Sequence, residues 1–194
     1  MAKLHFKYGA MNSGKTDTLI KTAYNYSETG LRPIVVKPAI DTKGKARIVA
    51  RAGGSRDVDI LATQTTDLRR SIMKLNQHTS VDVVLVDEAQ FLTSEQIDQL
   101  YEIAKQEQIS VIAYGLRADF MTQLFPGSRR LFELADNIEK IPTMCRCGSQ
   151  AEFNCRQIDG HFVFHGEQVA IDGEGDVAYT SLCGSCREKE RQGH

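Results

Sequence analysis

Residues 8–16 read YGAMNSGKT. Within them Gly9, Ala10, Met11, Asn12, Ser13, Gly14, Lys15 and Thr16 fit G-x-x-x-x-G-K-[ST], the pattern of a loop that cradles a nucleotide phosphate. Each fixed position has a physical reason. Glycines let backbone N–H groups turn inward around an anion with no Cβ in the way. Lys15 reaches the β- and γ-phosphates as a point charge, and the Thr16 hydroxyl suits Mg²⁺. The stretch before the loop, LHFKY (4–8), reads as a strand. The stretch after it, KTDTLIKTAYNYSET (15–29), reads as a helix closed by Gly30 at its C′ position. The helix start adds its positive end to the cradle.

Outward from this loop, apolar bursts alternate with helical patterns. RPIVVKP (32–38) is a strand bracketed by prolines, and DTKGKARIVARAGGSRD (41–57) is a polar, basic stretch expected as a mobile loop or an exposed hairpin. DLRRSIMKLN (67–76) predicts a helix, and VDVVLVDE (81–88) a strand buried on both faces. TSEQIDQLYEIAKQEQ (93–108) predicts an amphipathic helix whose Thr93 and Gln96 suit a capping box. SVIAYG (110–115) and NIEKIP (137–142) supply further strands. The alternation predicts an α/β fold, a P-loop (RecA-like) parallel sheet with helices on both faces. The pattern changes after Pro142. AEFNCRQIDGHFVFHG (151–166) reads as a hairpin turning at Asp159-Gly160, and cysteine pairs flank it. We therefore expect a P-loop nucleotide-binding domain over 1–142 and a small zinc-ribbon β domain over 143–194.

Bulk properties exclude several classes. The 194 residues carry 24 basic and 25 acidic side chains, a net charge of -1, so no global basic field recruits nucleic acid. No apolar run approaches the roughly 18 residues of a membrane helix. The start, MAKLHFKYGAM, lacks the apolar core of a signal peptide and already reads as a strand. These features predict a cytoplasmic protein. In a reducing compartment its five cysteines read as metal ligands or buried thiols rather than disulfides.

A phosphate loop needs an acidic partner for its metal. Asp87-Glu88-Ala89-Gln90 follows VVLV, and ligands of open parallel sheets bind at the carboxyl ends of strands. Asp87 is the expected Mg²⁺ partner, and Gln90 goes with it to the nucleotide site. Glu88 is left for another task, such as a general base for a hydroxyl or water. ATP hydrolysis is the simplest chemistry for these motifs, and DEAQ resembles a helicase motif. A helicase needs a second motor domain, for which this length has no room. A GTPase needs a guanine-reading NKxD, which is absent. A kinase acting on a small hydroxyl substrate remains.

Cys145-x-Cys147 and Cys183-x-x-Cys186 are two close pairs that suit a tetrahedral, structural Zn²⁺ with four thiolates. Cys155 reads as a small core residue; His161 and His165 remain alternative ligands. The competing class is a P-loop ATPase whose zinc ribbon acts on nucleic acid. Against it, EQVAIDGEGD (167–176) places Glu167, Asp172, Glu174 and Asp176 where a phosphate backbone would be repelled. Its glycines suit a lid that excludes water.

Taken in order, GAMNSGKT, VLVDEAQFL, YGLRADF, LFPGS, TMCRCG and AYTSLCGSC resemble the thymidine kinases of the cellular, type II class in their bacterial form. The resemblance covers nearly the whole chain. It implies transfer of the ATP γ-phosphoryl group to the 5′-hydroxyl of thymidine, giving dTMP. It implies that Gly9 to Thr16 hold the triphosphate and Glu88 accepts the proton. Cys145, Cys147, Cys183 and Cys186 match the zinc ligands. Phe91, Leu116, Phe120 and Tyr179 match positions around the nucleoside, although by themselves the aromatics suit a core equally well. A lasso loop, roughly 166–181, would close over the thymine. A homotetramer inhibited by dTTP is implied, with no nucleic-acid or membrane partner. Arg51 and Arg117 are both open as an additional cation.

Overall fold

The structure, a computed structural model, describes residues 1–168 and 176–193. Chain order gives β1 (Leu4–Tyr8), α1 (Lys15–Glu28), β2 (Pro33–Pro38), β3 (Arg47–Val49), β4 (Ser55–Asp57), β5 (Ile60–Ala62) and α2 (Leu68–His78). Then come β6 (Val83–Val86), a 3₁₀ turn (Ala89–Phe91), α3 (Ser94–Gln106), β7 (Ser110–Gly115), α4 (Pro126–Leu134) and β8 (Asn137–Lys140). The remainder is β9 (Thr143–Met144), β10 (Gln150–Ala151), β11 (Phe153–Ile158), β12 (His161–Val163), β13 (Val177–Leu182) and α5 (Gly184–Gln192).

Six strands form one sheet in the order β5-β2-β6-β7-β1-β8, and every neighbouring pair is parallel. This is the RecA-like sheet that the alternating pattern predicts. Parallel strands need helical crossovers, so both faces are covered and the inner strands are largely apolar, with Lys7 in β1 and Lys37 in β2 as charged exceptions. All four residues of β6, VVLV, are buried. They divide by parity, as side chains in a strand must. Val84 and Val86 pack with Ile97, Leu100 and Ile103 of α3, whereas Val83 and Leu85 pack with Leu19 and Ala23 of α1. The capping box on α3 forms in both directions: Thr93 Oγ1 accepts from the Gln96 amide and Gln96 Oε1 from the Thr93 amide, each at 3.1 Å.

Beyond β8 the chain builds antiparallel sheets. β9 pairs with β10, and β11 lies between β12 and β13. The β11–β12 hairpin turns at Asp159 and Gly160, both with positive φ (49° and 80°), as a two-residue mirror-image turn demands. The basic stretch 41–57 resolves as the second of its two predicted forms, with β3 and β4 pairing antiparallel.

Several elements were not expected from the sequence, among them β13, which makes 177–181 of the expected lasso a strand paired with β11 rather than loop. β5 is an edge strand of three residues, too short to show alternation. α4 starts with Pro-Gly, which reads as a turn although proline suits the first helical position. α5 is so polar that Cys186 alone among its residues is buried. α4 also shows why Gly127 stands where it does. A Cβ there would lie 2.4 Å from the Ala89 carbonyl oxygen and 2.8 Å from that of Leu92. The helix start is thus pressed against the 3₁₀ turn after β6. Gly127→Ala should cost about 1–3 kcal/mol of stability, since backbone must shift. Urea unfolding measures it, and an unchanged midpoint would show that the contact has slack.

Candidate active site

The phosphate loop spans the gap between β1 and α1. Gly9 lies under its first turn, where a Cβ would meet Ser13 Oγ at 2.5 Å and the Ile141 carbonyl at 2.7 Å. Gly14, at φ 75°, takes the left-handed conformation, and no side chain caps α1. The N–H groups of a helix start are unpaired within the helix, so this end suits an anion. Lys15 is buried, and its Nζ donates to the carbonyls of Gly9 (3.3 Å) and Ala10 (2.8 Å) and to Ser13 Oγ (3.2 Å). Burial lowers its pKa, opposed by Glu88 and Asp87.

Asp87 lies just past β6 and is 4% exposed. Its carboxylate oxygens accept from Thr16 Oγ1 at 3.1 and 3.4 Å. Burial, then the neighbouring Glu88 charge, pushes its pKa up to about 7. A buried acid with one hydroxyl partner suits a divalent cation, so Thr16 and Asp87 fit Mg²⁺. The sign of the pH effect follows. The ionised carboxylate is penalised in the folded chain, so stability should rise as pH falls from about 7 towards the ordinary carboxylate range. Affinity for Mg²⁺-nucleotide should fall over the same range, because the cation needs the carboxylate. Titration with Mg²⁺-ADP at pH 6 and pH 8 should differ by up to about tenfold. Asp87→Asn should flatten that difference, and equal affinities in the parent would remove Asp87 from the metal site.

Glu88 occupies a left-handed backbone conformation, φ 48°. Such a conformation is uncommon outside glycine and is concentrated at functional sites. Gln90 explains how it is held. Its Nε2 donates to Glu88 Oε2 at 2.5 Å, and its Oε1 accepts from the Leu116 amide at 3.0 Å. Gln90 is 1% exposed, which makes it a brace between Glu88 and the end of β7. Gly115 gives it room, since a Cβ there would lie 2.8 Å from Gln90 Oε1.

Two cavities meet over this floor. One, of about 440 Å³, is lined by residues 11–17 together with Asp41, Lys43, Arg51, Glu88 and Gln90. The other, of about 150 Å³, is a mainly apolar slot between Phe91, Leu116, Phe120 and Tyr179, with Asp119, Asn154 and Gln168 as polar groups. Met11, Phe91 and Leu116 are walls of both. The four residues matched to the nucleoside thus gather in one slot beside the phosphate loop. Arg51 faces the larger cavity, whereas Arg117 lies 5.7 Å from the Phe153 ring and is not among that cavity's walls.

Sequence reasoning did not single out Asp119, Asn154, Arg156, Gln168 or Lys37. Arg156 is 1% exposed; its guanidinium lies 3.9 Å from the Phe120 ring centroid and donates to Tyr179 Oη at 2.9 Å. It also donates to the Glu167 and Gln168 carbonyls at 2.8 and 3.1 Å, which ties the start of the expected lasso to the slot. Residues 169–175 of that lasso lie outside the described residues. Lys37, fully buried, pairs with Asp41 at 3.0 Å and donates to carbonyls of the 43–47 loop. A lysine inside VVKP was the only available signal.

The sulfur atoms of Cys145, Cys147, Cys183 and Cys186 all lie within 4.8 Å of one another. The Cys186 amide donates to Cys183 Sγ at 3.5 Å. Hydrogen bonding to the other three sulfurs pushes the Cys186 thiol up to about 12, while Ser149 draws Cys147 down to about 6. Four soft donors at this spacing fit tetrahedral Zn²⁺. Cys155 is buried in the apolar cluster around them but is not one of the four grouped sulfurs, and burial pushes its thiol up to about 11. His161 and His165 are not part of the cluster.

A phosphate loop, a buried acid beside it and an apolar slot sharing its walls define a P-loop phosphotransferase with a small acceptor. The family model described as "Thymidine kinase" matches residues 2–187, and the chain belongs to that family. It is similar to the "Thymidine kinase" of Photobacterium profundum, 40% identical over 94% of this chain and 95% of the relative. The "Thymidine kinase" of Legionella pneumophila (strain Lens) is 42% identical over 94% and 88%, and that of Mesorhizobium japonicum 40% over 98% and 93%. The chain is thus an ATP-dependent nucleoside kinase, and the family does not favour a nucleic-acid-stimulated ATPase. No helix among the described residues is long and apolar enough to cross a membrane.

Proposed function

We propose the following division of labour for transfer of the ATP γ-phosphoryl group to the 5′-hydroxyl of thymidine. The triphosphate lies along residues 9–16. Lys15 exchanges its present partners, the carbonyls of its own loop, for phosphate oxygens, and its charge offsets that of the transferring group. Thr16 and Asp87 hold Mg²⁺, which neutralises charge on those oxygens when bound. The nucleoside enters the slot between Phe91, Leu116, Phe120 and Tyr179, and its 5′-hydroxyl faces Glu88. Glu88 orients that hydroxyl and takes its proton as the oxygen attacks in line, with Gln90 bracing the carboxylate. The lasso then excludes water, which favours transfer over hydrolysis.

The observation that carries this reading is the pair of cavities sharing Met11, Phe91 and Leu116, with Glu88 on the wall of the phosphate side. We take residues 1–142 as the catalytic unit and 143–194 as a unit built on structural Zn²⁺, supported by the change from parallel to antiparallel sheet. A homotetramer and dTTP inhibition are extended to the chain from the family resemblance, and a cytoplasmic location from the sequence reading above. ATP consumption with a panel of nucleosides, products identified by mass, tests the whole. Stoichiometric dTMP from thymidine is expected; release of free phosphate whatever the nucleoside would refute the acceptor assignment.

A further inference from the structure

The cysteine cluster and the phosphate loop are physically joined. Thr143 lies two residues before Cys145, and Ser181 two residues before Cys183. Side chains two apart in an extended chain share a face, so each hydroxyl is aimed by the strand that enters the cluster. Both hydroxyls grip the loop backbone. Ser181 Oγ donates to the Met11 carbonyl at 2.6 Å, and Thr143 Oγ1 to the Asn12 carbonyl at 3.3 Å. From β11, Asn154 Oδ1 accepts the Met11 amide at 2.8 Å while its Nδ2 donates to the Ala118 carbonyl at 2.8 Å. Ser181 and Asn154 are buried, so these bonds are sheltered from competing water.

The consequence for phosphate binding follows from the planar trans peptide. In such a unit the carbonyl of one residue and the N–H of the next point in opposite directions. Holding the Met11 and Asn12 carbonyls towards β9 and β13 turns the Asn12 and Ser13 N–H groups the other way. Asn12 also sits at φ 65°, a conformation that persists in a non-glycine residue when its surroundings hold it.

We propose that the four-sulfur unit is a clamp on the phosphate loop. Thr143, Ser181 and Asn154 act as positioning residues, and metal occupancy of the cluster and nucleotide binding at the loop strengthen each other. The proposal rests on the zinc reading above. Reciprocity is thermodynamically required: if metal tightens nucleotide binding, nucleotide tightens metal binding by the same factor.

The experiment uses the full chain purified with its metal. Zinc per chain is counted first by elemental analysis. Zinc retention is then measured at equilibrium against a graded competing chelator, with and without Mg²⁺-ADP. We expect nucleotide to raise the chelator concentration for half-removal by about fivefold or more, within the usual range of coupling between sites. The Thr143→Val/Ser181→Ala double variant lies outside the walls of both cavities. It should still bind one zinc, lose most of the nucleotide effect, and show a raised KM for ATP at unchanged KM for thymidine. Ser181→Thr, which keeps the hydroxyl, should restore the effect. Zinc present but equally retained with and without nucleotide would overturn the clamp and leave the zinc reading standing. A chain that binds no zinc would overturn both.

Discussion

Glu88→Gln should lower kcat by about 10²–10⁴-fold, the usual contribution of a positioned general base. The substitution keeps the shape of the side chain and an oxygen that can accept from Gln90. Backbone conformation and the brace to Leu116 should therefore survive, and the KM for ATP should change little. A loss confined to kcat identifies an interaction made only in the transition state. Steady-state kinetics with thymidine, with a nucleotide-binding titration alongside, provides the check. An unchanged kcat would remove Glu88 from the proton-accepting role, whatever its place on the cavity wall.

The second large effect is expected at Cys183→Ser. Cys183 Sγ lies 3.6 Å from Cys147 Sγ and accepts from the Cys186 amide, so it is central to the donor set. Structural zinc in small peptide units contributes an apparent ~10–16 kcal/mol, comparable to or larger than the ~5–15 kcal/mol stability of a whole domain. The hydrophobic cluster around the cysteines is small: Ala151, Cys155 and Leu182, with Phe153 and Phe162 at its edge. It cannot replace the metal. The variant should therefore lose most of its zinc and show early melting of β9–β13 while the parallel sheet stays folded. Elemental analysis and thermal unfolding decide it. Full zinc content with an unchanged transition would contradict the four-thiolate site.

Much of the fold was legible because its signals are chemical rather than statistical. The glycines and lysine of the phosphate loop, the apolar run ending in Asp87-Glu88, and Thr93 with Gln96 each state a local geometry. What was not legible depends on tertiary company. β5 exists because β2 offers it an edge. α4 is a helix although its Pro-Gly start reads as a turn. Arg156 and Lys37 are charged residues inside strands, a pattern that ordinarily means an exposed face. Their burial becomes intelligible only when Phe120 and Tyr179 converge on Arg156, and the Asp41 carboxylate and the carbonyls of 43–47 on Lys37. The slot was half legible. Its aromatics came from family resemblance, but nothing in the sequence brought Asp119, Asn154 and Gln168 together.

The glycines at 115 and 127 divide the catalytic pocket into a wall that cannot yield and walls that can. Each admits backbone or Gln90 at a distance that excludes even one methyl group, so the turn bearing Glu88 is wedged between β7 and α4. Opposite it stand the β3–β4 hairpin and the start of the lasso, where the buried cations Lys37 and Arg156 hold backbone carbonyls. With the acceptor placed in the slot as proposed, variation in substrate range is expected from that second side. Altered acceptors should arise through residues around Phe120, Gln168 and Tyr179, where a side chain can change volume locally. Any change at the wedged turn must move two secondary-structure elements at once.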